Sequence, residues 1–170
     1  MTDLPRYAPG RAFPPYAFLP GRDPHPRQDP RGHSFGTVEA IASEAPHAEN
    51  WRASEDYLHG VDLYNHGYLW EAHEAWEGLW HPAKQADPEL AAFLQGLIQC
   101  SASSLKARMG EPRGHQKLAE LALAKLAAVA EEHEGRYMGL ALFEFVADFR
   151  AFVAEGSLDA ERRPLLVLGD

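Results

Sequence analysis

The distribution of proline constrains the fold of this chain more than any other feature of its sequence. Eight of the thirteen prolines lie within residues 1–36, and the other five are spread over the rest of the chain. Proline has no backbone N–H and its φ is fixed, so a segment this rich in proline forms neither a long helix nor a central strand. Residues 1–36 are therefore predicted to be an extended arm, and the remaining residues must supply the folded body.

The arm carries side chains that favour packing over free disorder. Phe13, Tyr16, Phe18 and Leu19 would leave a large apolar area in water if the arm were detached. The arm is also basic, with a formal charge of +2, whereas the remainder of the chain carries −11. We therefore expect the arm to pack on the acidic body, or on the body of a neighbouring copy.

From Ala53 onward, apolar residues recur at the spacing of α-helices. The pattern predicts about five helices joined by short turns, and short turns favour antiparallel helix pairs. The second of these helices runs from Tyr68 to Trp80 and is expected to end at the following His-Pro pair. No strand pattern of convincing length is present. The sequence thus predicts an all-α multihelical bundle over residues 37–156, followed by a non-helical tail over 157–170.

Composition and charge exclude several classes of function. Cys100 is the only cysteine, so neither a disulfide within the chain nor a cysteine-based zinc cluster can form, and a reducing compartment such as the cytoplasm is expected. A net charge of −9 argues against a nucleic-acid partner. No apolar stretch approaches the ~20 residues that cross a bilayer, and no signal peptide is expected at the start.

Small side chains line one face of the third predicted helix. Gly96, Cys100, Ser103 and Ala107 follow the spacing i, i+4, i+7, i+11, which places them on a single stripe. A neighbouring helix can approach closely along such a stripe. Association of two copies is therefore expected either through this stripe or through the arm.

The helix Tyr68–Trp80 carries the most unusual set of side chains. Its apolar arc is formed by Ala72, Ala75, Trp76 and Leu79. Trp70, however, lies among His73, Glu74 and Glu77 on the opposite side. A solvent-facing helix would not place a tryptophan at the centre of its polar face. Both faces are therefore predicted to be covered, with Trp70 shielded from water and some of the carboxylates partly buried.

Buried carboxylates must be hydrogen-bonded, paired, protonated or bound to a cation. His73 and Glu77 are four residues apart, so their side chains can converge on one metal ion. Glu74 or Glu71 would then act as general base or as a further ligand. His33 and His25 of the arm are candidates to complete the site. Histidine together with carboxylate suits zinc, manganese or iron.

A purely structural interpretation of the same helix stays open. Its glutamates would pair with arginines of the arm, and His73 would be a neutral histidine bonded inside the core. The protein would then be a non-catalytic helical-hairpin module whose glutamate-rich helix binds a basic segment. Gln95 and Gln99, four residues apart on the third helix, are expected to hydrogen-bond the glutamates of the second helix.

The segment from Asp62 to Trp80 reads DLYNHGYLWEAHEAWEGLW, and FLQGLIQ follows at residues 93–99. Both motifs resemble those of the bacterial and archaeal domain of unknown function 309 family, over about residues 53–130. The arm between Pro15 and Ser34 resembles the longer members of that family. The resemblance implies a small multihelical fold and predicts a metal-dependent hydrolase. The residues that match its motif are Glu71, His73, Glu74, Glu77, Asn65, Gln95 and Gln99, and Asp62 lies in the same segment.

Overall fold

The computed structural model describes residues 4–169, and five α-helices form its body. They are α1 (Glu55–Asn65), α2 (Leu69–Ala86), α3 (Pro88–Arg108), α4 (Pro112–Glu132) and α5 (Leu142–Ala154), and short 3-10 helices lie at Ala48–Ala53 and Ala160–Arg162. Two strands that the sequence pattern did not predict, β1 (Arg136–Tyr137) and β2 (Leu140–Ala141), pair as a small antiparallel hairpin. The all-α prediction is confirmed.

Consecutive helices pack against one another, and α3 lies between α2 and α4. The largest fully buried side chains come from several elements and include Trp76, Tyr57, Tyr64, Phe93 and Phe149. None of the helices among residues 4–169 is both long enough and apolar enough to cross a membrane.

The small-residue stripe of α3 faces α4 of the same chain. A Cβ added to Gly96 would lie 2.6 Å from a methyl carbon of Leu126, so a larger residue there would force the Leu126 side chain to move. Further along the stripe, the Ser103 hydroxyl donates to the carbonyl of His115 at 2.7 Å. Because α4 buries the stripe, this face is not free to contact a second copy.

Local signals in the sequence explain where the helices begin. The Asp87 carboxylate accepts the Leu90 N–H at 3.1 Å and caps α3, whose first residue is Pro88. The Ser54 hydroxyl caps α1 in the same way by accepting from Tyr57 N. Gly67, with φ of +84°, makes the left-handed turn between α1 and α2.

The predicted end of the second helix at Trp80 is wrong, because α2 continues through Pro82 to Ala86. Proline supplies no N–H to the carbonyl four residues earlier, which leaves the Gly78 carbonyl without its helical donor. The Ala42 N–H donates to that carbonyl at 3.0 Å. A Cβ at Gly78 would lie 2.2 Å from the carbonyl oxygen of Ala40. Residues 37–47 thus dock on α2 where proline frees an acceptor and glycine makes room.

The arm over residues 4–36 lies on α1 and α2, and a series of tight turns shapes its course. Asp62 of α1 is fully buried and accepts three hydrogen bonds from the arm. The donors are Arg6 Nε at 2.9 Å, Tyr7 N at 2.8 Å and Ala8 N at 2.9 Å. A single carboxylate on the body therefore fixes the start of the arm.

Residues 157–169 also return to α1. The Asn65 amide donates to the Leu166 carbonyl and accepts the Leu166 N–H, both at 2.8 Å. The tail was expected to be non-helical, and it contains one short 3-10 helix, Ala160–Arg162. Asp62 and Asn65 therefore hold the two terminal segments on the same helix.

Candidate functional site

One side of α2 presents a row of histidines and glutamates with helical spacing. His73 Nε2 lies 3.3 Å from Glu77 Oε2, and His73 Nδ1 lies 3.5 Å from Glu74 Oε1. One turn further along, His81 Nε2 lies 3.3 Å from Glu39 Oε1, which comes from the segment docked at Gly78. The extension of α2 beyond Pro82 keeps His81 on the same row as His73 and Glu77.

Within residues 4–169, two groups of three side chains bring their ligand atoms within 4.8 Å of one another. The first is His73, Glu74 and Glu77, and the second is Glu39, Glu77 and His81. All five side chains are half-buried, and Glu77 belongs to both groups. Imidazole and carboxylate donors at this separation can converge on one divalent cation.

The charges of the two groups are balanced differently. Glu74 forms an ion pair with Arg27 of the arm. Glu39 and Glu77 make ion contacts within residues 4–169 only with histidines, and Glu39 Oε1 is a buried atom without a hydrogen-bond partner. Two carboxylates held close together without a lysine or arginine repel each other, and a cation relieves that repulsion.

Glu71 lies apart from both groups and holds the arm. Its Oε1 accepts the Phe18 N–H at 2.9 Å and lies 2.9 Å from His33 Nε2. The Glu71 and His33 side chains are only 5% and 4% exposed. The other nitrogen of His33 lies 2.8 Å from the Ser34 hydroxyl. The structure therefore brings His33 to Glu71 and not to the two groups around Glu77.

His25 is also engaged within the arm. Its Nδ1 accepts the Arg27 N–H at 3.2 Å and the Gln28 N–H at 3.3 Å. Its ring packs edge-on against Trp70, with centroids 5.7 Å apart. Phe18 packs on the same tryptophan at 5.5 Å, so the arm covers Trp70, which stays half-buried.

The expected bonds from the glutamines of α3 to the glutamates of α2 are not formed. Gln99 Oε1 accepts from Lys125 Nζ at 3.0 Å, so this side chain faces α4. No hydrogen bond connects Gln95 to α2 in the part of the chain that the structure describes. The prediction for Gln99 is wrong because α4 presents a cation close to that face of α3.

Sequence reasoning missed two members of the second group, Glu39 and His81. A signal for His81 was present, since it continues the four-residue spacing of His73 and Glu77. The His-Pro pair at 81–82 concealed it by indicating a helix end. Glu39 could not be found from spacing, because it reaches the site through the contact of Ala40 and Ala42 with Gly78.

The buried imidazole of His59 on α1 is expected to make the stability of the fold depend on pH. The side chain is 7% exposed, and desolvation, reinforced by the positive charge of Arg11, lowers its pKa to about 4. Between pH 6.5 and 4 the unfolded chain binds a proton that the folded chain does not, so the free energy of unfolding falls as the pH falls. We expect this group to account for a loss of at most about 3 kcal/mol.

Substitution His59→Gln removes this titrating group. Chemical denaturation at pH 7 and pH 4 should show a smaller loss of stability for the variant than for the wild type. His47→Gln, at an exposed position, is the control and should keep the wild-type pH dependence. Equal losses for His59→Gln and the wild type would contradict the assignment.

Comparison with known proteins finds a family for the central part of the chain. Residues 57–118 match the family described as Domain of unknown function (DUF309). No curated protein and no solved structure matches the chain. The matched segment contains Asp62, Asn65 and the α2 row from Glu71 to His81, whereas the arm and Glu39 lie outside it.

Proposed function

We propose that this chain, a member of the DUF309 family through residues 57–118, binds a divalent metal ion beside Glu77. One observation carries the proposal. The carboxylates of Glu39 and Glu77 meet the His81 imidazole with ligand atoms within 4.8 Å, and no lysine or arginine of residues 4–169 pairs with either carboxylate. A cation would offset the repulsion of these carboxylates at the place where three donors converge.

Within this proposal, Glu39, Glu77 and His81 are the ligands. His73, whose Nε2 lies 3.3 Å from Glu77 Oε2, orients the shared carboxylate and is the alternative ligand of the first group. Glu74 is the weaker ligand, because its charge is already balanced by Arg27. One imidazole with two carboxylates suits zinc, manganese or iron.

Hydrolysis is the chemistry that such a site supports best. When bound, a divalent metal supplies Lewis acidity and lowers the pKa of a coordinated water. A groove of about 880 Å³ runs between residues 41–47 and 81–87, and His81 lines it, so a substrate has room beside the proposed ligands. Within this proposal Glu74, whose carboxylate is held by Arg27, is the candidate proton acceptor of the neighbouring first group. Glu71 is assigned to holding the arm, because Phe18 and His33 occupy one of its oxygens.

Metal content tests the proposal. Protein purified without a histidine tag should bind about one equivalent of zinc, manganese or iron, and His81→Ala or Glu39→Gln should weaken binding at least about tenfold. Elemental analysis and titration measure both, and circular dichroism checks that the helices persist. His47→Ala is the matched control, because His47 lines the same groove and belongs to neither group.

Two outcomes would contradict the ligand assignment in different ways. If His73→Ala abolishes binding and His81→Ala does not, the ion lies in the first group. If the wild type binds none of the three metals, the metal proposal fails altogether.

The second result would favour the other candidate, a non-catalytic module in which α2 binds a basic segment. Its support is that Glu74 pairs with Arg27, and Glu71 with His33, in the arm of the same chain. Under either function we propose a cytoplasmic location, which the free and buried thiol of Cys100 supports.

A further inference from the structure

A small pocket lies between the arm, the start of α1 and the middle of α2. It has a volume of about 160 Å³, which is the space of roughly five water molecules. Four charged side chains line it: Arg11 and Arg27 from the arm, Asp56 from α1 and Glu74 from α2. Its apolar wall includes Ala75 and Leu79. Of these residues, only Glu74 also belongs to a group around Glu77.

The four charges form two pairs with opposite signs. Arg11 Nη1 donates to Asp56 Oδ1 at 2.9 Å, and Arg27 Nη2 contacts Glu74 Oε2. The formal charge of the pocket is therefore zero. The positively charged side chains come from the arm and the negatively charged ones from the helices, so a ligand bound between them would contact groups of both charges.

Both guanidinium groups keep unused donors. A guanidinium has five N–H groups in a planar fork, and Arg11 hydrogen-bonds Asp56 through Nη1 alone, while Nη2 of Arg27 makes the ion contact with Glu74. Within residues 4–169, Nε and Nη2 of Arg11 and Nε and Nη1 of Arg27 make no further hydrogen bond. Asp56 Oδ2 is likewise not used. The pocket thus offers paired donors to a carboxylate and an acceptor to an ammonium group.

The pair at the mouth of the pocket can rearrange at little cost. The Arg11 and Asp56 side chains are 41% and 56% exposed. An ion pair as exposed as this contributes about 0–1 kcal/mol, so a ligand can exchange it for new contacts. The Arg27–Glu74 pair lies deeper and supplies the fixed part of the pocket.

We infer that this pocket binds a small zwitterion that carries a carboxylate and an ammonium group, of the size of glycine or alanine. Its carboxylate binds the unused guanidinium donors, and its ammonium group binds Asp56 and Glu74. A simple anion in this pocket would be repelled by the two carboxylates and by the net charge of −9 on the chain. A simple amine would be repelled by the two guanidinium groups. A ligand with both charges satisfies all four side chains.

The inference goes beyond the proposed metal site and does not depend on it. Because Glu74 belongs to both, binding is measured in the presence of a chelator, so that no metal ion competes for this carboxylate. The experiment can then contradict the zwitterion proposal without contradicting the metal proposal, and the reverse also holds.

The experiment compares the binding of glycine and L-alanine with the binding of the two halves of glycine, acetate and methylamine, and with that of inorganic phosphate. Saturation-transfer NMR and thermal denaturation of the full chain are the readouts. The zwitterions should bind with a dissociation constant of about 1 mM and raise the Tm, whereas each half should bind at least about tenfold more weakly.

Substitutions at the mouth of the pocket locate the site. Arg11→Gln and Asp56→Asn change exposed side chains, so the fold should persist, and each should weaken binding of the zwitterions at least about tenfold. Arg31→Gln is the matched control, because Arg31 is an exposed arginine of the arm that pairs with Asp29 outside the pocket. It should bind as the wild type does.

Several results would overturn the inference. They are equal binding of acetate and glycine, preference for phosphate, no binding of either amino acid at about 10 mM, or unchanged binding in Arg11→Gln and Asp56→Asn. None of these results depends on how much metal the wild-type protein binds.

Discussion

Deletion of residues 1–34 should lower the free energy of unfolding by at least about 3 kcal/mol, because the buried carboxylates of Asp62 and Glu71 lose their donors from the arm. The deletion also removes Phe18, His25 and His33 from the Trp70 ring. Tryptophan emission should therefore shift to the red as Trp70 meets water. Chemical denaturation and fluorescence spectra measure the two effects.

Two variants make this result specific to the arm. A shorter deletion, of residues 1–5, keeps the donors to Asp62 and Glu71 that the structure describes and should lose much less stability than the deletion of residues 1–34. In a Trp70→Phe background, the red shift on deletion of residues 1–34 should largely disappear. If the long deletion leaves both the Tm and the emission maximum unchanged, the arm contributes nothing to the fold and its histidines have no part in the site.

Helix positions could be predicted from the sequence because local chemistry fixes them. The Asp87-Pro88 pair starts α3, and apolar spacing identifies the buried face of each helix. The same local reasoning failed at Pro82. Proline ends a helix when its missing N–H leaves a carbonyl without a partner, and here the Ala42 N–H replaces it from a distant segment.

The candidate site could be predicted only in part, for a related reason. Spacing along one helix identified His73 and Glu77, since residues four apart share a face. Spacing could not indicate that Glu39 reaches the same carboxylate. Although the basic charge of the arm suggested pairs with the glutamates of α2, it could not tell that Glu74 would meet Arg27 and Glu71 the Phe18 N–H. These contacts join residues more than 35 positions apart, and they depend on how the arm and residues 37–47 lie across α2.

Two kinds of polar residue can be distinguished among those of the matched segment. Asp62, Asn65 and Glu71 are buried and bond backbone groups of segments outside the matched residues 57–118. His73 and Glu77 are half-buried and bond no backbone group among the contacts described above. The first kind is explained by the need to satisfy backbone groups as the arm and tail dock. The residues of the second kind pair with each other on one face of α2, and they are the side chains to which the proposed metal site assigns a role.

Substitution Asp62→Ala should cost about 3 kcal/mol of stability, an effect as large as expected for any single side chain outside the apolar core. The fully buried carboxylate accepts from Arg6 Nε and from two backbone N–H groups, and the variant leaves all three donors without this acceptor. Urea denaturation measures the loss. Hydrogen exchange of the Tyr7 and Ala8 amides should become faster at the same time.

The control is Asp56→Ala, which removes the same charge from an exposed position on the same helix. Its pair with Arg11 is solvated, so the change in stability should stay within about 1 kcal/mol. Asp62→Asn separates charge from shape, because one amide oxygen can still accept a backbone N–H while the amide NH₂ meets Arg6. It should therefore lose stability between the wild type and Asp62→Ala. Equal stability of Asp62→Ala and Asp56→Ala would show that the start of the arm is not held by this carboxylate.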